Sequence, residues 1–552
     1  MDAVHSSSST SLRLAETLLP AIEQERFDLS IDNIKALEEM LVASLSLIRN
    51  AYNCSRPVNR IPPEIFGQIF EDALRPLEYS SCAFVWPFAS IRDTHALRDV
   101  TRVCRYWRDV ALDLRLLWTH ICFSEFHPVS PAYLKRSELA PLKVLINDDV
   151  SSKCLSRLLQ SDGSRIQELH AYYTQTFWNT AVPAPNLEYL SVKEIGSPNG
   201  EARPLLFCGE APRLKALTME EIPWLPRNGF ANLTHLCIRF AWPAWYTPVW
   251  KVSDLWEFLT GCPRLQDVIM VAVPLEATRA HEDLPVLPLN DLRRLSLGDM
   301  SSGLITWILA HIPRSSALAV RIFNVICEHE SLARLSCFGQ DDHPTKLRLT
   351  LPVPGSVTVT AVDSASGLQV ECAHPPSDIR RLDWTPSVWE PWPLSSVREL
   401  WISDSKDGLE GWRCLSGLLP LLPSLTTVVY CARDRWAQRG LDYLLDSLSG
   451  SSVASSVPCP ALANLRIWVG DPESLVSLDT IVAFAEARAS LGHTLRRLLV
   501  ERDSEILDDD ADSMRLQSCI EHVEVRPIEG PPPAMEVPAV CTETVHKYWP
   551  SW

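Results

Sequence analysis

Residues 211–220 read Ala-Pro-Arg-Leu-Lys-Ala-Leu-Thr-Met-Glu. Leu214, Leu217 and Met219 form an apolar-x-x-apolar-x-apolar pattern behind Pro212. The last two apolar positions are two apart, so they share one face of a short strand, and the first enters from the preceding turn. The pattern returns upstream at Ile166-Leu169-Ala171 and Leu187-Leu190-Val192. Downstream it returns at Leu233-Leu236-Ile238, Leu265-Val268-Met270 and Leu292-Leu295-Leu297. It resumes at Ile379-Leu382-Trp384, Val397-Leu400-Ile402, Leu425-Val428-Tyr430, Leu462-Leu465-Ile467 and Leu495-Leu498-Val500. Segments between often carry helical spacing, as in Ser253–Leu259 ahead of Cys262-Pro263. One such unit cannot cover its own apolar face, so the units must stack. The predicted fold class is α/β, with an irregular solenoid of strand units over residues 140–525.

Around this array the signals are weaker. Residues 300–378 hold Leu347–Leu351 and Val357–Thr360, which alternate as strands do. They predict an irregular, β-rich part of the same array. Asp508-Asp509-Asp510 and Pro531-Pro532-Pro533 predict a polar loop and a frayed C-terminal tail at 526–552. Non-core strand positions such as Lys215, Ala216 and Thr218 are expected to build the concave, partner-facing surface.

Composition excludes several classes. The 552 residues are 46% hydrophobic and 22% charged, a profile of folded chains. The net charge of −17 opposes generic binding to nucleic acid or to an anionic membrane. Twenty glycines against 42 prolines exclude collagen-like and glycine-linker readings. A long uncharged stretch, Leu415–Ala432, is interrupted by Pro420 and Pro423 and reads as a turn plus a buried strand. Sixteen cysteines without a C-x-x-C pair are expected to be buried free thiols in a reducing, intracellular setting.

The N-terminal part is helical by pattern. Residues 1–10 are serine-rich and read as a disordered tail. Residues 11–55 carry Leu12, Leu14, Leu18, Leu19 and Ile22, then Ile31, Ile34, Leu41, Leu45 and Ile48 at steps that include three and four residues. Ser30 or Asp32 is positioned to cap the second helix. Residues 56–125 form a compact unit. Pro62-Pro63 opens a helix whose Ile65, Ile69 and Phe70 share a face with Ala73. A second helix is predicted through Leu97, Val100, Val103, Cys104, Trp107, Val110, Ala111 and Leu114. On it Arg98, Arg102, Arg105 and Arg108 form a basic stripe, which reads as a solvated face or as steering toward an acidic partner.

Three motifs in order give this unit a family resemblance. They are Ile61-Pro62-Pro63-Glu64-Ile65 with Ile69-Phe70, then Val103-Cys104-Arg105-Tyr106-Trp107-Arg108, then Leu117-Trp118. Residues 60–121 thereby resemble an F-box. The layout as a whole resembles the F-box proteins expanded in mushroom-forming fungi, which place a leucine-rich-repeat-like region after the F-box. The resemblance implies a substrate receptor of an SCF-type ubiquitin ligase. Pro62, Ile65, Ile69, Phe70, Val103 and Trp107 would contact a Skp-type adaptor, which links to a cullin, and the repeats would hold an unknown target protein. Each of these residues also suits the unit's own interior, and for Val103 and Trp107 the core reading is the favoured one. One departure is the long loop Arg75–Thr94, whose Phe84, Trp86, Pro87 and Phe88 are expected to alter or partly cover the adaptor face.

No catalytic signature is present: no G-x-S-x-G, H-E-x-x-H, P-loop or G-x-G-x-x-G. No enzyme activity, cofactor or metal is expected; a parallel-β enzyme is disfavoured by the scarce glycine and the inter-strand helices. The alternative to the ligase reading is a protein-binding repeat scaffold with a degenerate F-box. Trp242, Trp245, Tyr246 and Trp250 form an aromatic cluster that reads either as core filling or as a partner-binding hot spot.

Overall fold

A computed structural model describes residues 10–74, 86, 91–92, 94–123, 131–146, 152–172, 182–193, 203–240, 250–275, 284–313, 317–325, 343–351, 356–373, 389, 392–404, 414–433, 437–449, 457–470, 476–502, 510–543, 546–550 and 552. The chain divides into two compact units. The first comprises residues 1–77, 92–120 and 130–140; the second comprises 78–91, 121–129 and 141–552.

The first unit is helical: α1 (Thr10–Glu25), α2 (Ile31–Ser55), α3 (Pro63–Ala73), α4 (His95–Val103) and α5 (Arg105–Asp113). Ser30 caps α2, its hydroxyl accepting from the Asn33 N–H at 3.3 Å, and no residue of α2 is buried. Pro63 opens α3, where its missing N–H costs no helical bond. Helical spacing then turns Phe66, Gly67 and Phe70 inward. They join Leu74, Leu97, Val110, Ala111, Leu117 and Trp118 in one apolar cluster.

The long helix expected over Leu97–Leu114 is two helices. Cys104 is extended (φ −158°, ψ 173°), which ends α4 at Val103. Its sulfur accepts from the Trp107 N–H at 3.5 Å and so caps α5. The basic stripe is broken at the same point. Arg98 and Arg102 lie on α4, Arg105 and Arg108 on α5; Arg105 donates to Ser46 Oγ (2.9 Å) and Arg108 to the Thr101 carbonyl (3.0 Å).

The second unit is a single continuous sheet with interspersed helices. Its strands are β1 (His120–Phe123), β2 (Leu142–Ile146), β3 (Ile166–Tyr172), β4 (Tyr189–Lys193), β5 (Ala216–Glu220), β6 (His235–Arg239), β7 (Asp267–Val271), β8 (Arg294–Gly298) and β9 (Ala319–Val325). Then come β10 (Lys346–Leu351), β11 (Ser356–Val362), β12 (Gly367–Ala373), β13 (Glu399–Asp404), β14 (Thr427–Ala432), β15 (Asn464–Val469), β16 (Arg497–Arg502) and β17 (His522–Pro527). β1 pairs with β2. From β2 to β9 each strand pairs in parallel with the next. The same holds from β13 to β17. Along the chain a helical module is followed by a leucine-rich-repeat-like array, a mixed α/β fold.

The repeat pattern is the register of the sheet. Leu169, Leu190, Leu217, Leu236, Val268 and Leu295 are direct neighbours, one per strand, all at most 3% exposed. The row continues in β13–β16 as Leu400, Val428, Leu465 and Leu498. Every position of the row adds a buried apolar neighbour, worth about 1.5–3 kcal/mol per fully buried side chain. The match Ile379-Leu382-Trp384 lies outside the described residues.

Residues 300–378 differ from a plain continuation of the array. β10, β11 and β12 form an antiparallel meander inserted in reverse order: β12 pairs in parallel with β9, and β10 in parallel with β13. An odd number of strands is what lets both outer edges run parallel to their neighbours. A two-stranded hairpin would leave one edge antiparallel.

Two further expectations are corrected. The 526–552 segment is packed, not frayed: Val540, Cys541 and Trp549 form a buried cluster with Ala319 of β9. Trp86, the described aromatic of the Arg75–Thr94 loop, belongs to the second unit, where its ring meets His235 of β6 at 5.0 Å. Phe84, Pro87 and Phe88 lie outside the described residues.

Candidate functional site

Two surfaces answer to the sequence candidates, one in each unit. On α3 the helical period separates neighbours that the sequence motif lists together. Phe70 is 1% exposed and faces Phe66 (ring centroids 5.4 Å), whereas Ile65 and Ile69 are 44% and 42% exposed. Pro62 is exposed at the head of the same helix. Val103, at the last turn of α4, is 56% exposed. Trp107 is half-buried: its indole packs on Phe66 (5.3 Å) and Phe70 (5.4 Å), and its Nε1–H donates to Asn59 Oδ1 at 2.7 Å. Tyr106 Oη donates to the Ile61 carbonyl at 3.1 Å. These two bonds tie α5 to the turn that precedes α3. Phe70 therefore supports the face from behind, while Pro62, Ile65, Ile69 and Val103 are presented outward.

The aromatic segment resolves differently. Trp250 is buried at 5% exposure, edge-on to Phe240 at 5.3 Å, with its backbone N–H donating to the Pro274 carbonyl at 2.8 Å. It fills the core and is not a presented partner residue. Trp242, Trp245 and Tyr246 lie outside the described residues.

The second surface is the sheet face opposite the leucine rows, here called the polar face. Strand alternation puts Ala216, Thr218 and Glu220 of β5 on it; Lys215 precedes the strand and pairs with Glu188 at 2.8 Å. Register lines up opposite charges on adjacent strands. Lys193 opposes Glu220 (2.8 Å), and Glu220 opposes Arg239, with which it is ion-paired. His235 opposes Asp267 (2.9 Å), and Asp267 opposes Arg294, which grips it bidentately at 2.5 and 2.6 Å. Burial pushes the Asp267 carboxyl up, but the bonds from His235 and Arg294 outweigh it and hold the group below the usual carboxylate range. In β3, Glu168 and His170 meet at 2.7 Å, both 1% exposed. Parallel in-register pairing thus yields a ladder of mutually satisfied charges.

A large part of this face is covered from within the unit. Trp86 lies between His235 and His546, with centroids at 5.0 and 5.8 Å. Residues 546–549 form a tight turn closed by two backbone bonds, His546 N–H to Trp549 O (3.0 Å) and Trp549 N–H to His546 O (2.9 Å). The turn places Tyr548 and Trp549 on the sheet at 5% and 2% exposure. Sequence reading missed these residues. The signal was the aromatic content of His546-Lys547-Tyr548-Trp549-Pro550-Ser551-Trp552, which is too apolar for a solvated tail.

With the helical geometry in place, comparison with known proteins identifies the first unit's motif. Residues 58–124 match the F-box-like family. The F-box-like segment thus starts at the turn that carries Asn59 and ends just after β1. Among curated proteins no relative matches the chain. Among solved structures, the leucine-rich repeat-containing protein LegL7 from Legionella pneumophila is 12% identical, with a TM-score of 0.22, covering 58% of this chain and 86% of that one. The chain joins an F-box-like segment to an array of leucine-rich strand units. Among the described residues no helix is long and apolar enough to cross a membrane.

Proposed function

We propose that this chain is the substrate-recognition subunit of an SCF-type ubiquitin ligase. The observation that carries the reading is the F-box-like match together with the outward pair Ile65–Ile69 on α3. Exposed isoleucines four residues apart on one helix face, flanked by Pro62 and backed by buried Phe66 and Phe70, make an apolar docking strip for a helical partner. The strip takes the Skp-type adaptor, which links to a cullin, with Val103 and Trp107 at its margin. The array holds the target protein. On this reading the chain is intracellular and carries no catalytic residue. It acts by raising the concentration of the target near the transfer machinery.

The test is adaptor binding by the full chain and by Ile65→Asp and Ile69→Asp. The native chain binds at micromolar Kd or tighter. Each aspartate buries a charge at the contact and weakens binding at least a hundredfold, in line with roughly 2–5 kcal/mol for a disrupted interface anchor. The melting temperature stays unchanged, because both side chains are exposed. Absence of binding by the folded native chain overturns the ligase reading and leaves a repeat scaffold with a degenerate F-box.

A further inference from the structure

The turn His546–Trp549 is bound to the polar face as a ligand would be. Arg239 of β6 donates to Tyr548 Oη at 2.7 Å. Ser296 of β8 and Arg321 of β9 both donate to the Tyr548 carbonyl, at 3.0 and 3.3 Å. The Tyr548 ring stacks on Phe323 with centroids at 6.4 Å, and the Arg294 guanidinium lies over Trp549 at 5.9 Å. Arg293 pairs with Glu543 at 2.7 Å. β12 starts with a glycine where this segment crosses it: a Cβ on Gly367 would stand 2.6 Å from the Trp552 ring and 2.9 Å from Cys541 Sγ. The sheet is therefore shaped for close approach of the segment. Beside Tyr548 a cavity of about 420 Å³ reaches Asp299, Arg321 and Glu371, so a competing segment has a place to enter.

We propose that this face binds protein segments presenting a tyrosine at a tight turn, and that the chain's own His546–Trp549 turn occupies the site until such a segment displaces it. The inference deepens the target-binding reading and rests on it. The chemistry sets the class. The hydroxyl meets Arg239, the turn carbonyl meets two donors, and the ring lies on Phe323, so a segment with an aliphatic residue in place of tyrosine forfeits the Arg239 bond.

The occluded site is also acid-sensitive. His546 faces His235 of β6, Asp267 of β7, Arg294 of β8 and Arg321 of β9, with the Trp86 ring against it. Burial, and next the Arg294 charge, push its imidazole from the ordinary 6.5 down to about 4. A released segment takes up the proton sooner than a bound one. The contribution of His546 to docking is therefore complete above pH 6.5 and is lost as pH falls toward 4, by about tenfold per pH unit.

The test is fluorescence-anisotropy titration of a labelled peptide, residues 543–550, against the full chain; the peptide keeps the Tyr548 turn but lacks Cys541 and Trp552, the groups that a side chain at position 367 would exclude. The native chain binds it at least a hundredfold more weakly than the full-length variants Tyr548→Ala and Gly367→Leu, because the tethered turn competes at millimolar effective concentration. Tyr548→Ala removes the anchor and Gly367→Leu displaces the segment from the sheet side, so one decides if the other misfolds. Adding Arg239→Ala to either weakens the peptide at least tenfold. Hydrogen exchange of the native chain supplies a readout without substitution: amides 546–549 lose protection relative to β7 between pH 6.5 and 4. Equal peptide binding by native and variant chains, or none by the folded variants, overturns the proposal. Adaptor binding read in parallel separates the outcomes. Peptide binding without adaptor binding sinks the ligase reading alone; the converse sinks the occlusion alone.

Discussion

Replacing Arg488 by methionine is expected to lower the stability of the repeat unit by about 3 kcal/mol, one of the largest losses available from a single side chain outside the leucine rows. Arg488 lies on the helix Leu478–Ser490 with 0% exposure. Its guanidinium donates to three carbonyls, those of Leu448 (3.0 Å), Pro458 (3.1 Å) and Cys459 (2.9 Å). Two effects compete. Burying a cation is costly, and burial does hold this guanidinium below its ordinary pKa. Methionine escapes that cost and keeps much of the volume. It leaves three carbonyls without donors, however, at roughly 1–3 kcal/mol each. Leu448 and Cys459 are themselves buried, so water does not replace the lost donors. The orphaned carbonyls outweigh the recovered desolvation. Urea denaturation, followed by hydrogen exchange across 441–490, measures the loss. Arg488→Lys keeps the charge but offers a compact ammonium to a site built for a fork, and falls between the two. A shift within about 0.5 kcal/mol for methionine would mean that the three carbonyls find other donors.

What was legible in the sequence was whatever a strand or helix writes in its own residues. The described matches to the Leu214-Leu217-Met219 pattern all sit on strands, because each apolar position answers to a local need to cover one face. β9 was hidden because its turn position is Ala317, too small to read as an apolar entry point. β17 fits the pattern as Ile520-Val523-Val525 and was overlooked; its strand positions are half-exposed instead of buried. The break at Cys104 was illegible for a different reason: Val100, Val103, Trp107 and Val110 keep helical spacing across it, and only the backbone of Cys104 shows that the helix restarts. The reversed meander was beyond reach in principle. Alternation marks Leu347–Leu351 as a strand but does not say which neighbour it takes, and the partners of β10 are set by strands some ten and fifty residues further along. The candidate sites divide along the same line. The α3 strip is local and could be read to within one residue, since Phe70 turns inward and Ile69 outward by one step of the helix. Occupation of the polar face by Tyr548 joins residues more than two hundred positions apart, and composition alone hinted at it.

On the proposed ligase reading, Phe66→Ala is expected to destabilise the F-box-like unit by about 3–5 kcal/mol and to abolish adaptor binding by unfolding, not by loss of a contact. Phe66 is 0% exposed and meets three other rings, Phe70 at 5.4 Å, Tyr106 at 5.6 Å and Trp107 at 5.3 Å. Those contacts hold α3 against α5, and the unit has no disulfide to compensate among its described cysteines, Cys54 and Cys104, both free. Small helical units of this kind have only about 5–15 kcal/mol in reserve, so a cavity of this size consumes much of it. Ile65→Asp, one residue earlier, abolishes the same binding through a charge on an exposed face and leaves the fold intact. The pair therefore separates core from contact. Near-UV circular dichroism of the Trp107 and Tyr106 environment collapses in Phe66→Ala and is unchanged in Ile65→Asp, while both lose the adaptor. Should Phe66→Ala keep its near-UV signal and its adaptor affinity, the ring cluster is not what fixes α3. Should Ile65→Asp lose its near-UV signal, Ile65 belongs to the core and the docking strip has been placed on the wrong face of α3.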